Sequence, residues 1–163
     1  MKTIWKNPKT FFVLLATTLI TSSVLVSCDK DDDDIDNSDK MYTLSGNASG
    51  SQEIPTNATT GTATLTGTYN AKTNSLSYTI NWNGLTGVAT VAHFHGPATA
   101  TETANPMVDI TIGANGVNGN ASGTVTVTDA FETALLSGKI YYNVHTALYP
   151  NGEIRSQVTA SPQ

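Results

Sequence analysis

The stretch Leu76-Ser77-Tyr78-Thr79-Ile80-Asn81-Trp82 limits what this chain can fold into more than any other. Its large apolar side chains recur at every second residue, with Ser77, Thr79 and Asn81 between them. Only an extended strand puts Leu76, Tyr78, Ile80 and Trp82 on one buried face and the polar residues on the other. From Met41 onward, strand-like runs return over 42–47, 62–69, 88–95, 107–112, 121–128, 139–148 and 153–160, separated by stretches rich in Gly, Pro, Asn and Asp. One segment breaks the pattern. Asp129-Ala130-Phe131-Glu132 reads as a capping box, with Asp129 as N-cap and Glu132 at N3, opening a short helix that Gly138 ends. The expected fold is all-β, an antiparallel Greek-key sandwich or flattened barrel of about eight strands with one short helix.

The first forty residues have a different character. Lys2, Lys6 and Lys9 precede the short apolar run from Phe11 to Ile20, which is too brief and too rich in Thr for a stable membrane span and reads as a signal peptide. Leu25-Val26-Ser27-Cys28 follows and resembles a bacterial lipobox, so the only cysteine, Cys28, is expected to become a lipidated N-terminus that holds the protein to a membrane without crossing it. Seven of the thirteen carboxylates then fall between Asp29 and Asp39. Such a run cannot collapse on itself and reads as a tether, either a plain solvated spacer or an export signal. In the second case it resembles the acidic run that sends lipoproteins of Bacteroidota-type bacteria to the cell surface. The expected division is a signal peptide over 1–27, an acidic tether over 28–40 and one β domain over 41–163 in the cell envelope, outer-membrane anchored.

Beyond the tether charge is scarce. Lys72, Lys139 and Arg155 face Glu53, Glu102, Asp109, Asp129, Glu132 and Glu153, so no basic patch exists to neutralise phosphates, and nucleic acid is excluded as a partner. No Gly-x-Ser-x-Gly elbow or phosphate-cradling glycine loop is present.

All three histidines lie in two strand-like segments, His93 and His95 in one and His145 in the other. Two residues apart on a strand, His93 and His95 share a face, with Cα atoms about 6.5 Å apart. With His145 they form a three-nitrogen set of the kind that holds zinc or copper, leaving a position for water, Glu102 or Asp109. The His-x-His strand is similar to that of copper/zinc superoxide dismutases, but three histidines cannot supply both a copper and a bridged zinc site, which excludes that activity. The competing reading is that these histidines hydrogen-bond loop backbone and fix strand ends. In the last strand Glu153 and Arg155 alternate with Ile154, Ser156 and Val158. A tight turn at Pro150-Asn151-Gly152 would put His145 on the Ile154 and Val158 face, inward, and would send Ile140, Tyr142 and Val144 outward unless something covers them. Glu153 and Arg155 then read as an exposed pair or a rim that holds a loop.

Gly50-Ser51-Gln52-Glu53-Ile54-Pro55, Gly61-Thr62-Ala63, Ala92-His93-Phe94-His95-Gly96-Pro97, and Gly138 to Thr146 with Pro150-Asn151-Gly152-Glu153-Ile154-Arg155 occur in the order and spacing of the CHRD (chordin-type) domain, which the chain resembles from Tyr42 to Thr159. Ser156 departs from the glycine the family carries there. Gly96, Pro97, Glu153 and Arg155 belong to the matching motifs and are read as structural. The resemblance implies an all-β extracellular module with no established reaction. The expectation is a cell-envelope lipoprotein carrying a binding or structural module for a protein or glycan ligand, without catalysis or cofactor. The alternative is a zinc or copper protein using His93, His95 and His145.

Overall fold

In the computed structural model, which describes residues 40–163, the period-two stretch lies in the middle of an antiparallel meander. The expected signal peptide, Cys28 and the acidic run to Asp39 lie outside the described residues. Strands β1 (Met41–Ser49), β2 (Thr62–Asn70) and β3 (Ser75–Asn83) pair along their full lengths, Met41 opposite Asn70 and Thr62 opposite Asn83. Asn70 Oδ1 accepts from the N–H groups of Lys72 and Thr73, and Asn74 takes a φ of 52°, the left-handed region that asparagine tolerates, so the β2–β3 turn is tight. Alternation then places Leu44, Ala48, Leu65, Tyr69, Leu76, Ile80 and Trp82 on the inner face, with Thr, Ser and Asn outside.

The chain continues through β4 (Ala89–His95), β5 (Pro106–Asp109), β6 (Gly119–Thr126), α1 (Asp129–Leu136), β7 (Tyr141–Thr146), β8 (Ile154–Gln157) and β9 (Thr159–Pro162). Strand order is β5-β4-β7-β8-β1-β2-β3-β6, with β9 beside β1. The sheet curls until Phe94 of β4 meets Tyr78 of β3 edge-on at 5.3 Å between ring centroids, and Phe131 of α1 closes on Phe94 at 6.1 Å. The fold is all-β with one short helix, a curled antiparallel sheet that forms an incomplete, flattened barrel. The ninth strand arises because 153–160 is not continuous. Val158 turns its N–H to Ile140 O, β8 pairs with β7, and β9 crosses to β1.

Two local expectations are corrected. The helix is capped by Thr128, whose hydroxyl accepts from Phe131 N–H, while Asp129, expected as the cap, accepts instead from Asn74 Nδ2. His145 does not point into the core. The register opposes Val144 to Ile154 and Tyr142 to Ser156, an odd-length connection that reverses the parity expected of two- and four-residue turns. Tyr142, Val144 and Ile140 are therefore core residues, and His145 shares the opposite face with Tyr141, Asn143 and Arg155. That outer face is not wet. The segments 50–61, 96–105 and 147–152 close over it, so every residue of β7 is buried. Glu153 and Arg155, read as an exposed pair or a rim that holds a loop, have 0% and 1% of their surface open, and Arg155 does hold a loop through Thr99 O and Glu102 O.

Gly96 ends β4 where a Cβ would meet Ile140 Cδ1 at 2.6 Å and Lys139 O at 2.9 Å, an approach only glycine permits. Pro97 follows through a cis peptide and is exposed.

Candidate metal centre and its polar surroundings

Strands β4 and β7 run side by side with Val91 opposite His145, His93 opposite Asn143 and His95 opposite Tyr141. Alternation puts His93, His95, Tyr141, Asn143 and His145 on the one covered face. The His93 and His145 ring centroids are 5.2 Å apart and those of His93 and His95 5.4 Å, in both cases steeply inclined. One ring nitrogen from each of the three lies within 4.8 Å of the others.

For two of the rings the far side determines which nitrogen this is. His95 Nδ1–H donates to Ala104 O at 2.9 Å, and His145 Nδ1–H donates to Pro150 O at 2.9 Å, because a carbonyl can only accept. His93 Nε2 stands 3.6 Å from the exposed Asp109 Oδ1, beyond hydrogen-bond reach, and its Nδ1 is 3.4 Å from His145 Nε2. In the neutral rings, His95 Nε2 and His145 Nε2 thus carry lone pairs, and His93 Nδ1 lies 3.4 Å from the second of them. A carbonyl acceptor behind His95 and His145 is the arrangement that orients metal-bound histidines. Ligand atoms 2.0–2.1 Å from a tetrahedral zinc ion stand roughly 3.3–3.4 Å apart. His93 Nδ1 and His145 Nε2 are 3.4 Å apart, a spacing that also suits a hydrogen bond from one ring to the other.

Asn143, which the sequence reading did not single out, sits between the rings. Its Oδ1 is 3.0 Å from His95 Nε2 and 2.9 Å from His145 Nε2. An oxygen facing two lone pairs is unfavourable in the metal-free, neutral state. Its Nδ2 is committed on the other side, 3.5 Å from Asn151 O and hydrogen-bonded to the Glu53 carboxylate, so Oδ1 is the atom presented to the rings. Asn143 pairs with Arg155 across β7 and β8, so strand parity places it here once the register is known.

Below the histidines lies a stack. The His95 ring lies parallel to Tyr141 at 4.7 Å, and the Arg155 guanidinium sits 3.6 Å from the other ring's centroid. Arg155 Nη2 donates to Thr99 O, Glu102 O and Gln157 Oε1, stapling the 96–105 segment to β8. Glu102 therefore approaches through its backbone, and its carboxylate is spent on Thr99 N–H and Oγ1. Glu153 accepts from the hydroxyls of Thr59, Thr86 and Thr146 and from Thr86 N–H, which joins three segments.

Electrostatics follow burial. Loss of water would raise Glu153, but its hydroxyl and amide donors outweigh that and hold it below the usual carboxylate range. Glu53 has no such set. Burial pushes it up to about 7 against the pull of Arg155 and the Ile54 N–H. Burial also lowers His95 and His145, though hydrogen bonds to Ala104 and Asn143, and to Pro150, oppose it, so both rings favour the neutral, ligating form.

No curated protein and no solved structure matches the chain. The CHRD domain family model matches residues 44–158, well over half of the sequence and nearly all of the described sheet. The chain belongs to the CHRD domain family.

Proposed function

We propose that this protein is a cell-envelope lipoprotein whose CHRD domain is a non-catalytic binding module built on a metal centre at His93, His95 and His145. One observation carries the metal reading: one ring nitrogen from each of the three histidines lies within 4.8 Å of the others, while His95 and His145 turn their opposite nitrogen to a backbone carbonyl. Zinc or copper suits three neutral nitrogens with one open position. A binding role fits better than proton transfer, because His95 and His145 each hold Nδ1–H on a backbone carbonyl, which fixes one tautomer. The test is elemental analysis of protein purified without a polyhistidine tag, with thermal melting as metal is added. Stoichiometric zinc or copper and a raised melting temperature are expected. Absence of both would sink the reading.

A second reading is favoured by the same carbonyl contacts. With Ala104 and Pro150 as acceptors, the histidines pin two loops to the sheet without any ion. The anchor rests on Cys28 and on Asp29 to Asp39 after an apolar run. Cys28→Ala should release the protein from membranes, and protease added to intact cells should degrade the native protein if the domain faces outward.

A further inference from the structure

We propose a second site: the cavity between the 51–56 segment and Ala100 and Thr101 binds a carboxylate, which Arg155 holds. The cavity has a volume of about 520 Å³, within the range of small-ligand pockets. Arg155 lines it together with Glu53, Ile54, Pro55 and Thr101. It stands apart from the histidines and does not rest on their binding metal.

The reason is an unbalanced cation. Arg155 is 1% exposed and permanently charged, yet its partners are two backbone carbonyls, an amide oxygen and a tyrosine ring. Among the described residues it forms no ion pair. Its Nη1 has no hydrogen-bond partner, and the only other buried side-chain atom in that condition among the described residues is Glu53 Oε1. Buried charges are normally paired, and a buried donor left open is costly. Glu53 is the carboxylate whose field it feels, but the two make no close ion pair. Burial lifts Glu53 to about 7 against the pull of Arg155, so at neutral pH it is only partly charged. An entering carboxylate supplies the missing acceptor for Nη1 and completes the charge that Glu53 balances only in part. Ile54, partly exposed at 38%, and Pro55 offer an apolar wall for the carbon skeleton behind it.

Such a carboxylate comes from a free sugar acid or from a peptide C-terminus, and titration of the ¹⁵N-labelled protein separates them. The probes are D-glucuronate, N-acetylalanine and, as the uncharged control, N-acetylalanine amide. Saturable shifts confined to the cavity segments are expected for one acid, with a Kd of about 1 mM or tighter for a ligand of this size and binding about tenfold weaker for the amide. The tighter acid identifies the source. Thr101→Trp, at an exposed rim position, should abolish the shifts without lowering the melting temperature. Equal binding of acid and amide, no saturable shift with either acid, or undiminished binding in Thr101→Trp would overturn the assignment.

Discussion

His93 and His145 face each other across two paired strands, Nδ1 of one 3.4 Å from Nε2 of the other and their rings inclined at 76°. Their surroundings differ. The His145 ring bonds Pro150 O and lies against Asn143, whereas 19% of the His93 side chain is open and its other neighbour is the exposed Asp109. Substitution by alanine should therefore separate holding metal from holding the fold. His93→Ala is expected to lose metal affinity with a stability change within about 0.5 kcal/mol in metal-free buffer. His145→Ala is expected to lose both, at about 1–3 kcal/mol, because Pro150 O and Asn143 are left without their partner. Urea unfolding with chelator, beside metal titration of each variant, checks this; equal destabilisation by the two would count against the distinction.

Glu53 and the histidines oppose one another in acid. Glu53 rises from 4.5 to about 7 on folding, so its contribution is full below about 4.5 and is lost as the pH rises towards about 7. His95 and His145 are lowered from 6.5, so theirs is full above that value and is lost as the pH falls through it. Glu53→Gln should raise stability above pH 7, by up to about 3 kcal/mol, and steepen the loss below pH 6.5. Urea midpoints measured from pH 5 to 8 show it. A variant with the parent's pH profile would mean that Glu53 keeps its charge when buried.

Gly152 adopts a φ of 125°, and a Cβ there would run into the Glu53 carboxylate and come within 2.7 Å of Asn143 Nδ2. Gly152→Ala combines backbone strain with a clash in a covered polar layer, and a loss of about 2–4 kcal/mol is expected. The displaced amide is also the group that faces two of the three histidines. Weaker metal binding should accompany the loss of stability, measured by unfolding and by metal titration of the same sample.

The fold class was legible because Leu76, Tyr78, Ile80 and Trp82 alternate along one strand and the β2–β3 turn is spelled out by Asn70 and Asn74. The shared face of His93 and His95 was legible for the same reason. The side of the sheet that His145 occupies was not, since it depends on whether the β7–β8 connection is odd or even, and a single residue reverses it. The burial of Glu153 and Arg155 was hidden more deeply. An alternating strand with charges on one face reads as half wet, and only the return of 50–61 and 96–105 over that face turns the charges into the adhesive of a second layer. Asn143 and Glu53 were visible only as members of matching motifs, because neither carries a spacing signal of its own.

Arg155→Lys tests whether the stack beneath the histidines holds the loop above it. Lysine keeps the charge but lacks the planar fork that lies on Tyr141 at 3.6 Å while its Nη2 reaches Thr99 O, Glu102 O and Gln157 Oε1. A compact ammonium cannot meet those acceptors and cover the ring together, so a loss of about 1–3 kcal/mol is expected. The effect should be local. Amide hydrogen exchange should quicken at Ala98 and Glu102, whose N–H groups bond Lys139 O and Thr99 O, and stay unchanged in the β1–β2–β3 meander. Because His95 rests on Tyr141 and donates to Ala104 in the same loop, its ¹⁵N shifts should move towards a mixture of tautomers. Unchanged exchange at Ala98 and Glu102 would show that Gln157 and Tyr141, which also bond this segment, hold it without the arginine.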